Sequence, residues 1–126
     1  MILAAVDDLF FRSKIHAAAK QRGVPVVFAR SPEDVLEQAQ ALRPALAIFD
    51  LNSQRLQPLP TLARLKADAS LAGIRTVGFV SHVHVALIEA TRSAGMDEVM
   101  ARSAFDVKLG DIVSNTTMTE GENPNA

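Results

Sequence analysis

Residues 45–52 read ALAIFDLN, a short apolar run that ends at an acidic residue. Similar short runs occur at residues 2–6, 25–29, 75–80 and 98–101. The longer segments between them carry apolar residues at helical spacing, which is typical of βα units. Parallel strands need a crossover that is long enough for a helix, and every gap here has that length. The sequence therefore predicts an α/β domain with five parallel strands and helices on both faces.

The predicted helices have recognisable ends. Gly23 suits the left-handed position after the first helix, and Ser31 with Pro32 opens the second as an N-cap and a first-turn proline. We expect the five helices to begin near Arg12, Ser31, Pro60, His84 and Ser103. Right-handed crossovers with the first strand near the centre predict the strand order 2-1-3-4-5 of a doubly wound sheet.

Length and polarity of the chain predict one folded unit and a tail. A chain of 126 residues has room for a single hydrophobic core. Residues 114–126 are polar and contain Gly, Pro and three Asn, so they bury too little apolar area to become ordered. We expect a folded domain over residues 1–113 and a disordered tail over residues 114–126.

Composition narrows the classes of function. The net charge is −1 and there is no basic run, which gives no reason to expect nucleic acid or an anionic membrane as a partner. Cysteine is absent, so oxygen or imidazole must hold any metal ion. No apolar run approaches the roughly 20 residues that span a bilayer, and Asp7 and Asp8 interrupt the first run. We expect a cytoplasmic protein.

Polar residues follow several of the predicted strands. Asp7 and Asp8 follow the first, Asp50 the third, Ser81 the fourth and Arg102 the fifth. Ligands of doubly wound sheets bind at the carboxyl ends of the strands, beside the point where the strand order reverses. Three carboxylates in one crevice repel each other unless a divalent ion or a cationic side chain neutralises them, and oxygen-only ligands favour magnesium. The sequence therefore predicts a magnesium site.

The order and spacing of these motifs resemble the receiver domain of bacterial response regulators over residues 1 to about 113. The motifs are Val6-Asp7-Asp8, Ile48-Phe49-Asp50-Leu51-Asn52, Phe79-Val80-Ser81 and Ala94-Gly95-Met96-Asp97. The resemblance implies a flavodoxin-like fold and a stand-alone receiver in two-component signal transduction. Its partners would be a histidine kinase or phosphotransfer protein and a downstream protein.

The resemblance also implies roles for single residues. Asp50 would be the phosphoacceptor, and its carboxylate would hold Mg²⁺ together with Asp7, Asp8 and the backbone carbonyl of Asn52. The hydroxyl of Ser81 would bind the phosphoryl group after transfer. No enzymatic activity beyond self-catalysed phosphoryl acceptance is implied.

One departure from the family bears on this function. Arg102 stands where receivers carry a lysine, which keeps the charge but replaces a compact ammonium with a planar fork. It could bind the phosphoryl group or pair with one acid of the crevice, for instance Asp50. The alternative function is therefore a phosphorylation-independent pseudo-receiver that acts as a protein-interaction module.

Other interpretations of these residues stay open. Asp7 and Asp8 could be solvated acids of a loop, and Asp50 could simply cap the segment that follows it. His82 and His84 could be transition-metal ligands, but a third such ligand is missing nearby, and exposed loop histidines are the simpler interpretation. A small-molecule-binding enzyme is disfavoured because no glycine-rich phosphate loop follows any strand.

Overall fold

Five strands alternate with five helices along the chain, and a computed structural model describes residues 1–81 and 84–117. The strands are β1 (Ile2–Ala5), β2 (Val26–Phe28), β3 (Leu46–Asp50), β4 (Arg75–Val80) and β5 (Glu98–Ala101). The helices are α1 (Leu9–Gln21), α2 (Pro32–Leu42), α3 (Pro58–Ala67), α4 (Val85–Ser93) and α5 (Arg102–Thr117). Each helix connects two strands or follows the last one.

The strands form one parallel sheet in the order β2-β1-β3-β4-β5, which confirms the predicted fold class and topology. In the register of the central strands, Ile2 lies opposite both Val26 and Leu46. Strands β1 and β3 are buried along their whole length, whereas the edge strand β2 is only half-buried. In this strand order β2 lies on one side of β1 and β3 lies on the other, so the strand order reverses between β1 and β3.

Two hydrophobic cores lie on opposite faces of the sheet, because successive side chains of a strand point to opposite sides. Ile2 and Ala4 of β1 join one core, and Leu3 and Ala5 join the other. The first core packs against α1 and α5, and the second against α2, α3 and α4. Helices therefore cover both faces, as predicted.

Three phenylalanine rings tie α1 and α5 to the sheet close to the carboxyl ends of the strands. Phe11 of α1 stacks on Phe79 of β4 with ring centroids 5.0 Å apart, and Phe79 stacks on Phe105 of α5 at 4.6 Å. All three rings are buried. The stack therefore fixes the beginnings of α1 and α5 beside each other.

The first helix starts earlier than predicted. It begins at Leu9 rather than near Arg12, because the Asp8 side chain accepts the N–H groups of Phe10 and Phe11 and acts as the N-cap.

The last helix is longer than predicted. It begins at Arg102 and continues through Thr117, so residues 114–117 are helical. Val113 is buried, and Arg22 Nε donates to Ser114 Oγ at 2.9 Å, which holds this last part of the helix against the domain. The rest of the predicted tail, residues 118–126, lies outside the described residues. No helix in the described ranges is long and apolar enough to cross a membrane.

Candidate functional site

The predicted site residues meet at the carboxyl-terminal edge of the sheet. Asp7 and Asp8 lie between β1 and α1, and Asp50 is the last residue of β3. Ser81 follows β4, and Arg102 is the first residue of α5. Because neighbouring parallel strands end at the same edge, the topology alone collects these five residues from four separate parts of the chain.

Asp50 lies in the interior of this site. It is only 7% exposed, and its Oδ1 accepts the backbone N–H of Asn52 at 3.0 Å. Burial raises the pKa of the Asp50 carboxyl above its ordinary value of 3.8. The Asn52 N–H lowers the pKa and the negative charge of Asp7 raises it, both less strongly than burial. Of the three site carboxylates, Asp50 is thus the one that water solvates least.

The side chain of Asn52 has a role that the sequence did not indicate. Its Oδ1 accepts the backbone N–H of Ser81 at 2.6 Å, which links the loop after β3 to the end of β4. The same residue donates its own N–H to Asp50. Two successive hydrogen bonds therefore connect the Asp50 carboxylate to Ser81. An asparagine two residues after an acid is a frequent turn residue, so only the fold identifies this contact.

Asp8 uses both of its carboxylate oxygens. Oδ1 accepts the N–H groups of Phe10 at 2.9 Å and of Phe11 at 3.2 Å, while Oδ2 forms an ion pair with the Arg102 guanidinium. The Arg102 guanidinium also lies over the Phe11 ring, 4.5 Å from its centroid. Arg102 is therefore the ion-pair partner of an acid in the crevice, and that acid is Asp8 rather than Asp50.

Asp7 has a weaker partner. Arg55, from the loop after β3, lies 3.5 Å from Asp7 Oδ1, and its side chain is 64% exposed. A long, solvated ion pair of this kind contributes little to stability. Asp7 remains close enough to Asp50 for its charge to raise the Asp50 pKa.

The residues suit magnesium in their chemistry but not in their present arrangement. Asp7, Asp8, Asp50 and the carbonyl of Asn52 offer the oxygen ligands that Mg²⁺ prefers. However, Asp8 is occupied by two amides and a guanidinium. Across residues 1–81 and 84–117, no three His, Cys, Asp or Glu residues are arranged to hold a metal ion. The magnesium site stays a prediction.

One histidine of the transition-metal alternative has a structural role. His84 is the N-cap of α4, and its Nδ1 accepts the Leu87 N–H at 3.1 Å. This nitrogen is therefore engaged in helix capping. His82 lies outside the described residues.

No family model matches the sequence, and no curated protein matches it either. Solved structures do match the fold. The phosphorylated cyanobacterial phytochrome response regulator RcpA is 25% identical with a TM-score of 0.76, and the match covers 93% of this chain and 90% of that one. The chemotaxis response regulator CheY4 of Vibrio cholerae is 14% identical with a TM-score of 0.78, covering 91% and 96%.

A third similar structure contains a metal ion. It is the Mn²⁺-bound form of the response regulator Rcp1, which is 18% identical with a TM-score of 0.75 over 97% of this chain and 94% of that one. All three matches are response regulators and extend over nearly the whole chain. The resemblance inferred from the sequence motifs is confirmed at the level of the fold: this chain has the five-stranded flavodoxin-like fold of response regulator receiver domains.

Proposed function

We propose that this chain is a phosphoreceiver of two-component signalling that accepts a phosphoryl group on Asp50. The observation that carries the proposal is the position of Asp50, a nearly buried carboxylate at the end of β3 beside the reversal of strand order. Ligands of doubly wound sheets bind at this position. The similarity to a response regulator described as phosphorylated adds support.

The transfer would proceed by direct attack of the carboxylate. The Asn52 N–H holds Oδ1 of Asp50, so Oδ2 is the oxygen that attacks the phosphorus atom. A new O–P bond forms while the N–P bond of a phosphohistidine donor breaks, and the electron pair of that bond stays on the imidazole nitrogen. Asp50 must be ionised to attack, so its raised pKa limits transfer at acid pH.

Neighbouring groups would bind the product. The Ser81 hydroxyl and the Arg102 guanidinium lie at the same edge of the sheet and can donate to phosphoryl oxygens. The ion pair with Asp8 uses one nitrogen of the Arg102 guanidinium, which leaves its other N–H groups for a phosphoryl oxygen. Magnesium enters the proposal as the preferred ion of an oxygen-only site, once Asp8 is released.

Signalling would follow by binding to another protein. The phosphoryl donor would be a histidine kinase or a phosphotransfer protein in the cytoplasm, and a downstream protein would recognise the modified state. Phosphoryl acceptance catalysed by the receiver itself is the only reaction that we propose. Movement of Ser81 would carry the signal, because the hydrogen bonds through Asn52 connect it to Asp50.

One observation favours a second function. The ion pair between Arg102 and Asp8 already neutralises one acid of the site without metal or phosphate. A domain held in this state would act as a pseudo-receiver, which binds its partner in a single conformation.

Intact-mass spectrometry separates these two functions. The protein is incubated with magnesium and acetyl phosphate, whose O–P bond breaks with release of acetate as Asp50 attacks. We expect wild type to gain one phosphoryl group and Asp50→Asn to gain none. Asp68→Asn, which removes a half-buried carboxylate after α3, is the matched control and should react like wild type. An unmodified wild-type protein would favour the pseudo-receiver.

A further inference from the structure

The cation that neutralises Asp8 is part of the chain itself. Arg102 contacts Asp8 Oδ2, and the other oxygen of this carboxylate accepts two backbone N–H groups at the start of α1. A divalent ion that binds Asp8 therefore needs the oxygen that the guanidinium occupies. We propose that Arg102 is an internal competitor of divalent cations, so that metal binds to this receiver only when the Arg102–Asp8 ion pair opens.

Two contacts hold Arg102 in place. In addition to the ion pair, its guanidinium lies 4.5 Å from the centroid of the Phe11 ring, and a cation over an aromatic face is attracted electrostatically. Phe11 itself is fixed by stacking on Phe79 at 5.0 Å. The guanidinium thus rests on a rigid surface, which reduces the entropy lost when it pairs with Asp8.

Burial strengthens this ion pair relative to the neighbouring pair of Arg55 and Asp7. The side chains of Arg102 and Asp8 are 32% and 29% exposed, whereas Arg55 in the neighbouring pair with Asp7 is 64% exposed. Solvent screens the Arg55 pair more strongly than the Arg102 pair. The two arginines carry the same charge and pair with adjacent acids, Arg55 with Asp7 and Arg102 with Asp8, so Arg55 is a matched control for Arg102.

The proposal deepens the proposed function, because it concerns the metal site of the same receiver, but its test needs no phosphoryl donor. Magnesium binding is measured by calorimetry in wild type, Arg102→Gln and Arg55→Gln. Glutamine removes the charge and keeps a polar side chain. We expect Arg102→Gln to bind magnesium at least about threefold more tightly than Arg55→Gln does. Adding Asp8→Asn to Arg102→Gln should abolish this gain in affinity.

Equal magnesium affinities of Arg102→Gln and Arg55→Gln would overturn the proposal. Loss of one positive charge near the site would then explain any gain in affinity. Absence of magnesium binding in every protein would overturn it as well. An NMR titration of wild type alone tests the same proposal if Arg102→Gln does not fold. The NMR signal of the Arg102 Nε–H should shift during a magnesium titration with the same midpoint as the Asp8 signal. An Arg102 signal that stays constant while metal binds would also overturn the proposal.

Discussion

Asn52 Oδ1 accepts the backbone N–H of Ser81 at 2.6 Å and so joins the loop after β3 to the end of β4. Asn52 also donates its N–H to Asp50. A change in the charge or size of the Asp50 side chain therefore reaches Ser81 through one residue. The side chain of Asn52 is exposed, so the contact is a positional link and contributes little to global stability.

Replacing Asn52 should loosen Ser81 locally. We expect Asn52→Ala to speed hydrogen exchange of the Ser81 amide, with a loss of at most about 1 kcal/mol in the free energy of unfolding. Asn52→Asp keeps an acceptor oxygen at the same distance and should preserve the protection. Exchange measured residue by residue by NMR checks this. Equal protection of Ser81 in wild type and Asn52→Ala would show that the hydrogen bond is unimportant in solution.

Asp50 should lower the stability of the protein at neutral pH. Its pKa is raised in the folded state, mainly by burial, so its carboxylate form favours the unfolded chain. Stability is lost as the pH rises through the folded-state pKa, and Asp50→Asn should remove this loss. We expect Asp50→Asn to be more stable than wild type at neutral pH in metal-free buffer, with a gain that vanishes towards pH 3.8. Urea unfolding at both pH values measures it.

Asp68 provides a control of opposite sign. Hydrogen bonds from Ser70 lower the pKa of this carboxyl, so its charged form favours the folded state above its ordinary pKa. Asp68→Asn should therefore lose a little stability at neutral pH. A gain of stability in both variants would mean that general charge removal is responsible and would contradict the assignment to Asp50.

Gly78 of β4 makes room for Leu51, the residue after Asp50. A Cβ atom at position 78 would lie 3.1–3.3 Å from the side-chain carbons of Leu51, which is buried. We expect Gly78→Ala to lower the free energy of unfolding by about 1–3 kcal/mol through overpacking. The loss should shrink in the Leu51→Val background, since the two sites are in contact.

Gly73 is the matched control for this substitution. A Cβ at position 73 would meet nothing within 4 Å, and its backbone is not in the left-handed region. Gly73→Ala should leave stability unchanged or raise it by up to about 1 kcal/mol. Denaturant unfolding measures the stability of Gly78→Ala, Gly73→Ala, Leu51→Val and the double variant of Leu51→Val with Gly78→Ala. An equal effect of the two glycine substitutions would refute the packing argument for Gly78.

The fold could be predicted from the sequence because its signals are local. Apolar runs alternate with helical segments, and a residue such as Gly23, which has a φ of 70°, marks the end of a helix. The collection of acids at one edge also followed from topology. Helix ends are less predictable: the sequence pattern predicts Asp8 as a metal ligand, and only the structure reveals that it caps α1.

The side-chain partners within the site could not be predicted. The sequence places Arg102 at the end of a strand, but which of the acids it pairs with depends on the position of Phe11 and on the start of α1. The contact between Asn52 and Ser81 likewise depends on distances between two loops. Such contacts are set by tertiary geometry and leave no periodic pattern in the sequence.

The most direct test of the account is the location of the phosphoryl group. The protein is phosphorylated with acetyl phosphate and magnesium, digested under conditions that preserve acyl phosphates, and its peptides are sequenced by mass spectrometry. We predict one phosphoryl group on the peptide that contains Asp50, at Asp50 itself, and no modification of Asp7, Asp8 or Ser81. A phosphoryl group on any other residue, or none at all in the wild-type protein, would contradict the assignment of Asp50 as the phosphoacceptor.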